Sequence, residues 1–208
     1  MKKTAQINSI HRPLRINHKP YGLAGIFILT VLLAGCGKPF NVQPRPRTLA
    51  GNYAVTTETG GLKISAEAVT DEDYLYQTFE ANLILAGVLP VRLKLENSAS
   101  QEIKLKDARF EIRANQQTFK LIDGKKAYGR LMDYYGVTVY NKAGFKASRE
   151  DFIAYGMDIR KSLDSNEIRE GLLFFQVPGD TILQNELVLV IRKLSEPKDS
   201  EPIELKVK

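Results

Sequence analysis

The sequence predicts a mainly β domain, an antiparallel β-sandwich carrying a helical insertion over about 123–163 and a short helix near 71–83. Three observations carry that prediction. Several short segments alternate apolar with polar residues, a period of two that puts one face of a strand in a core. Two others are nearly continuous in apolar residues, as expected of central strands covered on both faces. Between them the period lengthens to three or four, which is helical spacing.

In chain order, Leu62, Ile64, Ala66 and Ala68 alternate with Lys63, Ser65 and Glu67. Thr70-Asp-Glu-Asp73 has the form of a capping box, and Leu75, Phe79 and Leu83 recur at intervals of four, giving the short helix. Val91, Leu93 and Leu95 resume the strand pattern over 88–96. Asn97-Ser-Ala-Ser100 reads as a turn, so strands 88–96 and 102–112 are expected to form a hairpin. The apolar set of the second shifts phase from Ile103 and Leu105 to Ala108, Phe110 and Ile112, the mark of a bulge or a change of face. In the insertion, Tyr128, Leu131, Met132 and Tyr135 share one helical face ahead of Gly136, a C-terminal cap. A second capping-box form, Ser148-Arg-Glu-Asp151, precedes Phe152, Tyr155, Ile159 and Leu163 on one face. The core strands follow in Glu170-Gly-Leu-Leu-Phe-Phe-Gln-Val177, closed by Pro178-Gly179, and in Glu186-Leu-Val-Leu-Val-Ile191; Ile203, Leu205 and Val207 alternate near the end. Six or seven strands punctuated by turns over about 155 residues fit a sandwich.

The first 35 residues are excluded from that fold. Residues 1–22 carry Lys2, Lys3, Arg12, Arg15 and Lys19 without an acid, and a 13-residue apolar run, Leu23 to Gly35, follows. A membrane-spanning helix needs about 20 apolar residues, whereas a basic start and a short apolar core are those of an export signal. Leu33-Ala34-Gly35-Cys36 then resembles the bacterial lipobox. That resemblance implies recognition of Leu33, Ala34 and Gly35 by a signal peptidase, and attachment of diacylglycerol, with an acyl chain such as palmitate, to Cys36. Two or more chains anchor stably where one is marginal. Residue 37 is Gly rather than the Asp that commonly retains such proteins in the inner membrane. In a Gram-negative host the expected site is therefore the periplasmic face of the outer membrane. Residues 36–51, with three prolines and two glycines, read as a tether able to extend about 3.1 Å per residue. The domain is expected over 52–208.

Removing the leader removes the charge. The chain holds 30 basic and 24 acidic residues; with five basic ones in the leader, residues 36–208 keep 25 against 24. A nucleic-acid partner needs a basic patch to release phosphate counterions, and none stands out. Both histidines, His11 and His18, lie in the leader, and Cys36 is the lone cysteine. No Cys/His metal site, Ser-His or Cys-His pair or disulfide is then available, and neither a D-x-D-x-D-G loop nor a phosphate cradle occurs. We therefore expect no cofactor, no metal and no catalytic residue.

The segments Gly87-Val-Leu-Pro-Val-Arg-Leu-Lys-Leu-Glu-Asn97 and Glu-Gly-Leu-Leu-Phe-Phe-Gln-Val-Pro178 are similar to immunoglobulin-like, telokin-like domains of unknown function in secreted bacterial lipoproteins. The resemblance covers about a third of the mature chain and implies an immunoglobulin-like sandwich, without implying an activity. The insertion departs from it and is where a particular function is expected. Five of the nine tyrosines fall there: Tyr128, Tyr134, Tyr135, Tyr140 and Tyr155. Spacing assigns Tyr128, Tyr135 and Tyr155 to packing. Tyr134 and Tyr140 lie off the apolar stripe and, with Arg130 and Lys142, are the partner-binding candidates. Two readings follow, an envelope module binding another protein through the insertion, or a module enclosing a glycan, peptide or lipid fragment. An exposed apolar patch favours the first and an enclosed site the second.

Overall fold

The computed structural model describes residues 37–49, 51–194 and 201–208. The leader and Cys36 lie outside them.

The domain is mainly β. Among the described residues, eight strands make one hydrogen-bonded sheet: β1 (Val55–Thr59), β2 (Leu62–Ala68), β3 (Val88–Asn97), β4 (Arg109–Ala114), β5 (Gln117–Ile122), β6 (Ile168–Gln176), β7 (Val188–Arg192) and β8 (Ile203–Lys206). Their order is β1-β2-β3-β6-β5-β4-β7-β8, and every neighbouring pair is antiparallel. Strand β5 turns the corner. Its first residues, Gln117 to Lys120, pair with β4, while Leu121 and Ile122 pair with Phe175 and Phe174 of β6. At the other end Ala68 N–H, in β2, donates to Val207 O beyond β8 at 3.0 Å, so the sheet folds back on itself around one core. Ile64, Leu93, Leu95, Ile112 and Leu189 are fully buried in it.

The period-two strands β2 and β3 and the continuous runs of β6 and β7 lie where the sequence placed them. Strand β3 is buried along almost its whole length because the sheet core covers one face and helices and a strap cover the other. The expected hairpin of 88–96 with 102–112 does not form. Both edges of β3 are already taken, by β2 and β6, so the chain after Asn97 crosses away. Residues 101–108 are irregular apart from a bridge between Ile103 and Leu163, and the phase shift marks where β4 begins rather than a bulge.

Three helices follow from local signals, with two starts corrected. Helix α1 (Glu72–Phe79) is capped by Asp71, whose carboxylate accepts from Tyr74 N–H at 2.8 Å, instead of by Thr70. It ends at Glu80 in the left-handed region, φ 55°, so Leu83 is buried beyond the helix and not on its stripe. Helix α2 (Gly124–Tyr134) is capped by Asp123. It closes in a Schellman motif, with Gly136 N–H donating to Asp133 O and Val137 N–H to Met132 O; the φ of +60° at Gly136 is the left-handed geometry this closure needs.

Helix α3 (Lys142–Ala154) begins at Asn141, which accepts from Ala143 and Gly144 N–H. Ser148 is therefore mid-helix and buried, not a cap. The helix stops at Tyr155 because the chain then pairs with β6: Leu172 N–H donates to Tyr155 O and Met157 N–H to Leu172 O.

The segment expected to be a tether is a packed strap. Phe40, Val42 and Leu49 are buried against the domain, and residues 37–208 form one unit. Prolines prevent it from joining the sheet without preventing it from burying side chains.

Candidate partner interface

Helices α2 and α3 form a hairpin laid on the outer face of β6. Their contact is aromatic: Tyr128 meets Phe145 and Phe152, and Phe152 stacks on Phe174 of β6 with centroids 5.0 Å apart. Tyr128 and Tyr155 are buried to 1 % exposure, and burial raises the pKa of both phenols above the ordinary value. The strap crosses this hairpin. Phe40 sets its ring edge-on to Tyr128 and Tyr135, and Asn41 N–H donates to the Glu80 carboxylate at 2.5 Å. Gly37 lies against the first turn of α3, where a Cβ on Gly144 would overlap Gly37 O. That close approach explains a glycine inside a helix, where it is otherwise unfavourable.

Beyond Phe40 an aromatic patch reaches solvent. Tyr134, 53 % exposed, packs edge-on against Tyr135 with centroids 5.0 Å apart. Tyr135 is half-buried and fixed: Asn82 N–H donates to its hydroxyl at 2.8 Å, and that hydroxyl reaches back to Asn82 O at 3.4 Å. Burial, with Tyr76 beside the hydroxyl, pushes the Tyr135 phenol up to about 12. Tyr76 projects from α1 and is 47 % exposed. Two exposed aromatics from different helices thus stand beside a third that the fold holds in place.

The four sequence candidates separate. Tyr134 belongs to this patch. Tyr140, 93 % exposed, stands in the loop before α3 with Val139, and Lys142 is exposed in the first helical turn. Arg130 is partly buried. Its guanidinium packs over Gly87 at the start of β3, and its Nε is buried without a partner among the described residues. Sequence reasoning missed Tyr76, although it lies off the Leu75–Phe79 stripe as Tyr134 lies off its own.

A second polar cluster fastens the other half of the strap. Glu170 accepts from Leu49 N–H at 3.1 Å and from the Tyr53 hydroxyl, while its backbone carbonyl accepts from Arg45 at 2.5 Å. Burial and the neighbouring Glu170 carboxylate raise the Tyr53 pKa. Opposite each other on β2 and β3, Glu67 and Arg92 pair at 2.7 Å, and Arg92 also faces the Tyr74 ring at 5.7 Å. These ionisable groups are all engaged in holding chain to sheet.

Two cavities lie elsewhere on the domain. A cavity of about 730 Å³ is lined by Asn115, Gln117, Thr181 and Asn185. Another of about 1080 Å³ lies between Thr59, Gln101, Lys106 and Lys193. Neither is lined by α2 or α3. Among the described residues no three His, Cys, Asp or Glu side chains gather as a metal site, and no helix is long and apolar enough to cross a membrane.

No protein-family model and no curated protein matches the sequence. Three solved structures share a broad likeness. A conserved hypothetical protein from Bacillus anthracis has 13% identity and a TM-score of 0.38, covering 74% of this chain and 95% of its own. A functionally unknown protein from Listeria monocytogenes EGD-e has 10% identity and a TM-score of 0.41, over 80% and 86%. An uncharacterized β-sandwich protein from Clostridium difficile 630 has 13% identity and a TM-score of 0.34, over 80% and 100%.

Proposed function

We propose that the chain is a lipid-anchored extracytoplasmic module, without catalysis, that binds another envelope protein through the patch formed by Tyr76, Tyr134 and Tyr135. One observation carries this reading. The exposed aromatics of α1 and α2 converge on Tyr135, which hydrogen bonds to Asn82 and the Phe40 ring hold in place. Rigid amphipathic rings lose little entropy on binding, and such anchors dominate protein interfaces. The aromatic patch is exposed rather than enclosed, which supports protein binding over an enclosed small ligand. Anchoring rests on the leader and on Cys36, and the outer membrane of a Gram-negative host on Gly37.

A photoreactive residue replacing Tyr134 in living cells tests the interface, with the same probe at exposed Lys63 as control. One protein trapped from position 134 and absent from 63, whose co-purification Tyr134→Ala abolishes, is the expected result. Equal capture from both positions overturns the reading. Anchoring is tested separately: Cys36→Ser should release the chain from membranes, and a variant that stays bound after a high-salt wash removes lipid as the anchor.

A further inference from the structure

The residue proposed to carry lipid is one peptide bond from Gly37, and consecutive Cα atoms are about 3.8 Å apart. Gly37 is not on a loose spacer. It fits against Asn141 and Gly144 at the start of α3, Lys38 pairs with Asp151 of the same helix at 3.1 Å, and Phe40 is buried two residues later. Acyl chains on residue 36 would therefore leave the domain beside the α3 N-terminus. The surroundings of that point suit a bilayer. Val139 is 41 % exposed and Tyr140 93 %. Lys142 occupies the first turn of α3, where the helix dipole disfavours a cation, and makes no ion pair among the described residues. From Tyr134 to Arg149 the chain has Lys142, Lys146 and Arg149 but no acid. Tyrosine favours the membrane–water boundary, and lysine lays its stem on apolar material while its ammonium meets anionic headgroups.

We propose that Val139, Tyr140 and Lys142 form a lipid-contacting rim that seats the domain directly on the bilayer carrying its anchor. This rests on the lipidation of Cys36. The strap then sets an orientation as well as a link: the start of α3 faces the membrane, and the far end of β3 points away.

The test uses the full chain, extracted from membranes of the producing cells and reconstituted in phosphatidylethanolamine–phosphatidylglycerol vesicles containing a headgroup nitroxide. Cys36 is the chain's single cysteine, so a fluorophore can be placed by Tyr140→Cys or, as control, Glu58→Cys. Glu58 registers through Lys63 with Glu96, at the opposite end of β3 from the Asn82–Tyr135 contact. Mass spectrometry of the mature N-terminus establishes the lipid. With lipid present, the probe at 140 should be quenched several-fold more than the probe at 58. Lipid with equal quenching at both positions overturns the rim and leaves the anchor standing. A mature chain without lipid on Cys36 overturns the anchor, and the rim with it.

Discussion

The Tyr128 hydroxyl donates to Ser148 Oγ at 2.8 Å, inside the α2–α3 hairpin, and Ser148 Oγ donates onward to Phe40 O at 2.6 Å. One buried hydroxyl thus ties both helices to the strap.

Removing it leaves a buried donor and a buried acceptor unpaired. Ser148→Ala is expected to lower stability by about 1–3 kcal/mol, the usual cost of such orphaned groups. Tyr128→Phe removes only the donor and should cost less. Urea denaturation of both variants checks this, and a Ser148→Ala midpoint equal to the parent's would mean that the relay carries no stability.

The Tyr135 phenol gives a pH dependence with a definite sign. Its pKa of about 12 in the fold exceeds the ordinary 10.0, so the folded state favours the neutral form. That stability is complete below pH 10 and is lost as pH rises toward 12. Unfolding followed across this window should show falling stability. The slope should be shallower in Tyr135→Phe, which cannot ionise, while Tyr53, Tyr128 and Tyr155, also raised, keep it from vanishing. Identical slopes for parent and variant would refute the assignment.

Glu170 holds the strap over β6 through Leu49 and Tyr53. Glu170→Ala takes away both acceptors. The amide of Leu49 should then exchange with solvent roughly tenfold faster or more, since about 1.4 kcal/mol corresponds to tenfold. Amides in the centre of β3 should be unchanged. Hydrogen exchange read residue by residue separates this from general loosening, which would accelerate both.

What the sequence revealed follows from how each segment is buried. Strands β2, β3, β6 and β7 have one or two covered faces, which writes a period or a run into the residues. Strand β1, Val-Thr-Thr-Glu-Thr, is a mostly exposed edge, and β5, Gln-Thr-Phe-Lys-Leu-Ile, is split between two partners; neither has a fully buried face to leave a pattern. The start of α3 was misplaced because Ser148-Arg-Glu-Asp151 has the form of a capping box, whereas Asn141 is the cap and Ser148 is buried within the helix. The strap was misread because its burial comes from single residues, Phe40, Val42 and Leu49, at no regular spacing. In the candidate site, spacing separated the buried Tyr128 and Tyr155 from the exposed Tyr134 and Tyr140. It could not see Tyr76, because the patch is assembled from two helices far apart in sequence, nor that Arg130 is spent on packing over Gly87.

That distinction between neighbours gives the last prediction. Tyr134 and Tyr135 are adjacent and touch, yet they do different work. Tyr134 is 53 % exposed and appears in no hydrogen bond among the described residues, so Tyr134→Ala should leave stability within about 0.5 kcal/mol of the parent, as is usual for surface positions. Tyr135→Ala removes the ring under Phe40 and the partner of Asn82 N–H, and truncation of a packed aromatic costs about 3–5 kcal/mol when fully buried, an upper bound for this half-buried ring. Thermal denaturation gives both values. The crosslinked partner should be lost in Tyr134→Ala although the fold is intact. If binding survives Tyr134→Ala and disappears only when Tyr135→Ala loosens the domain, the exposed ring is not the contact and the interface proposed for this patch is wrong.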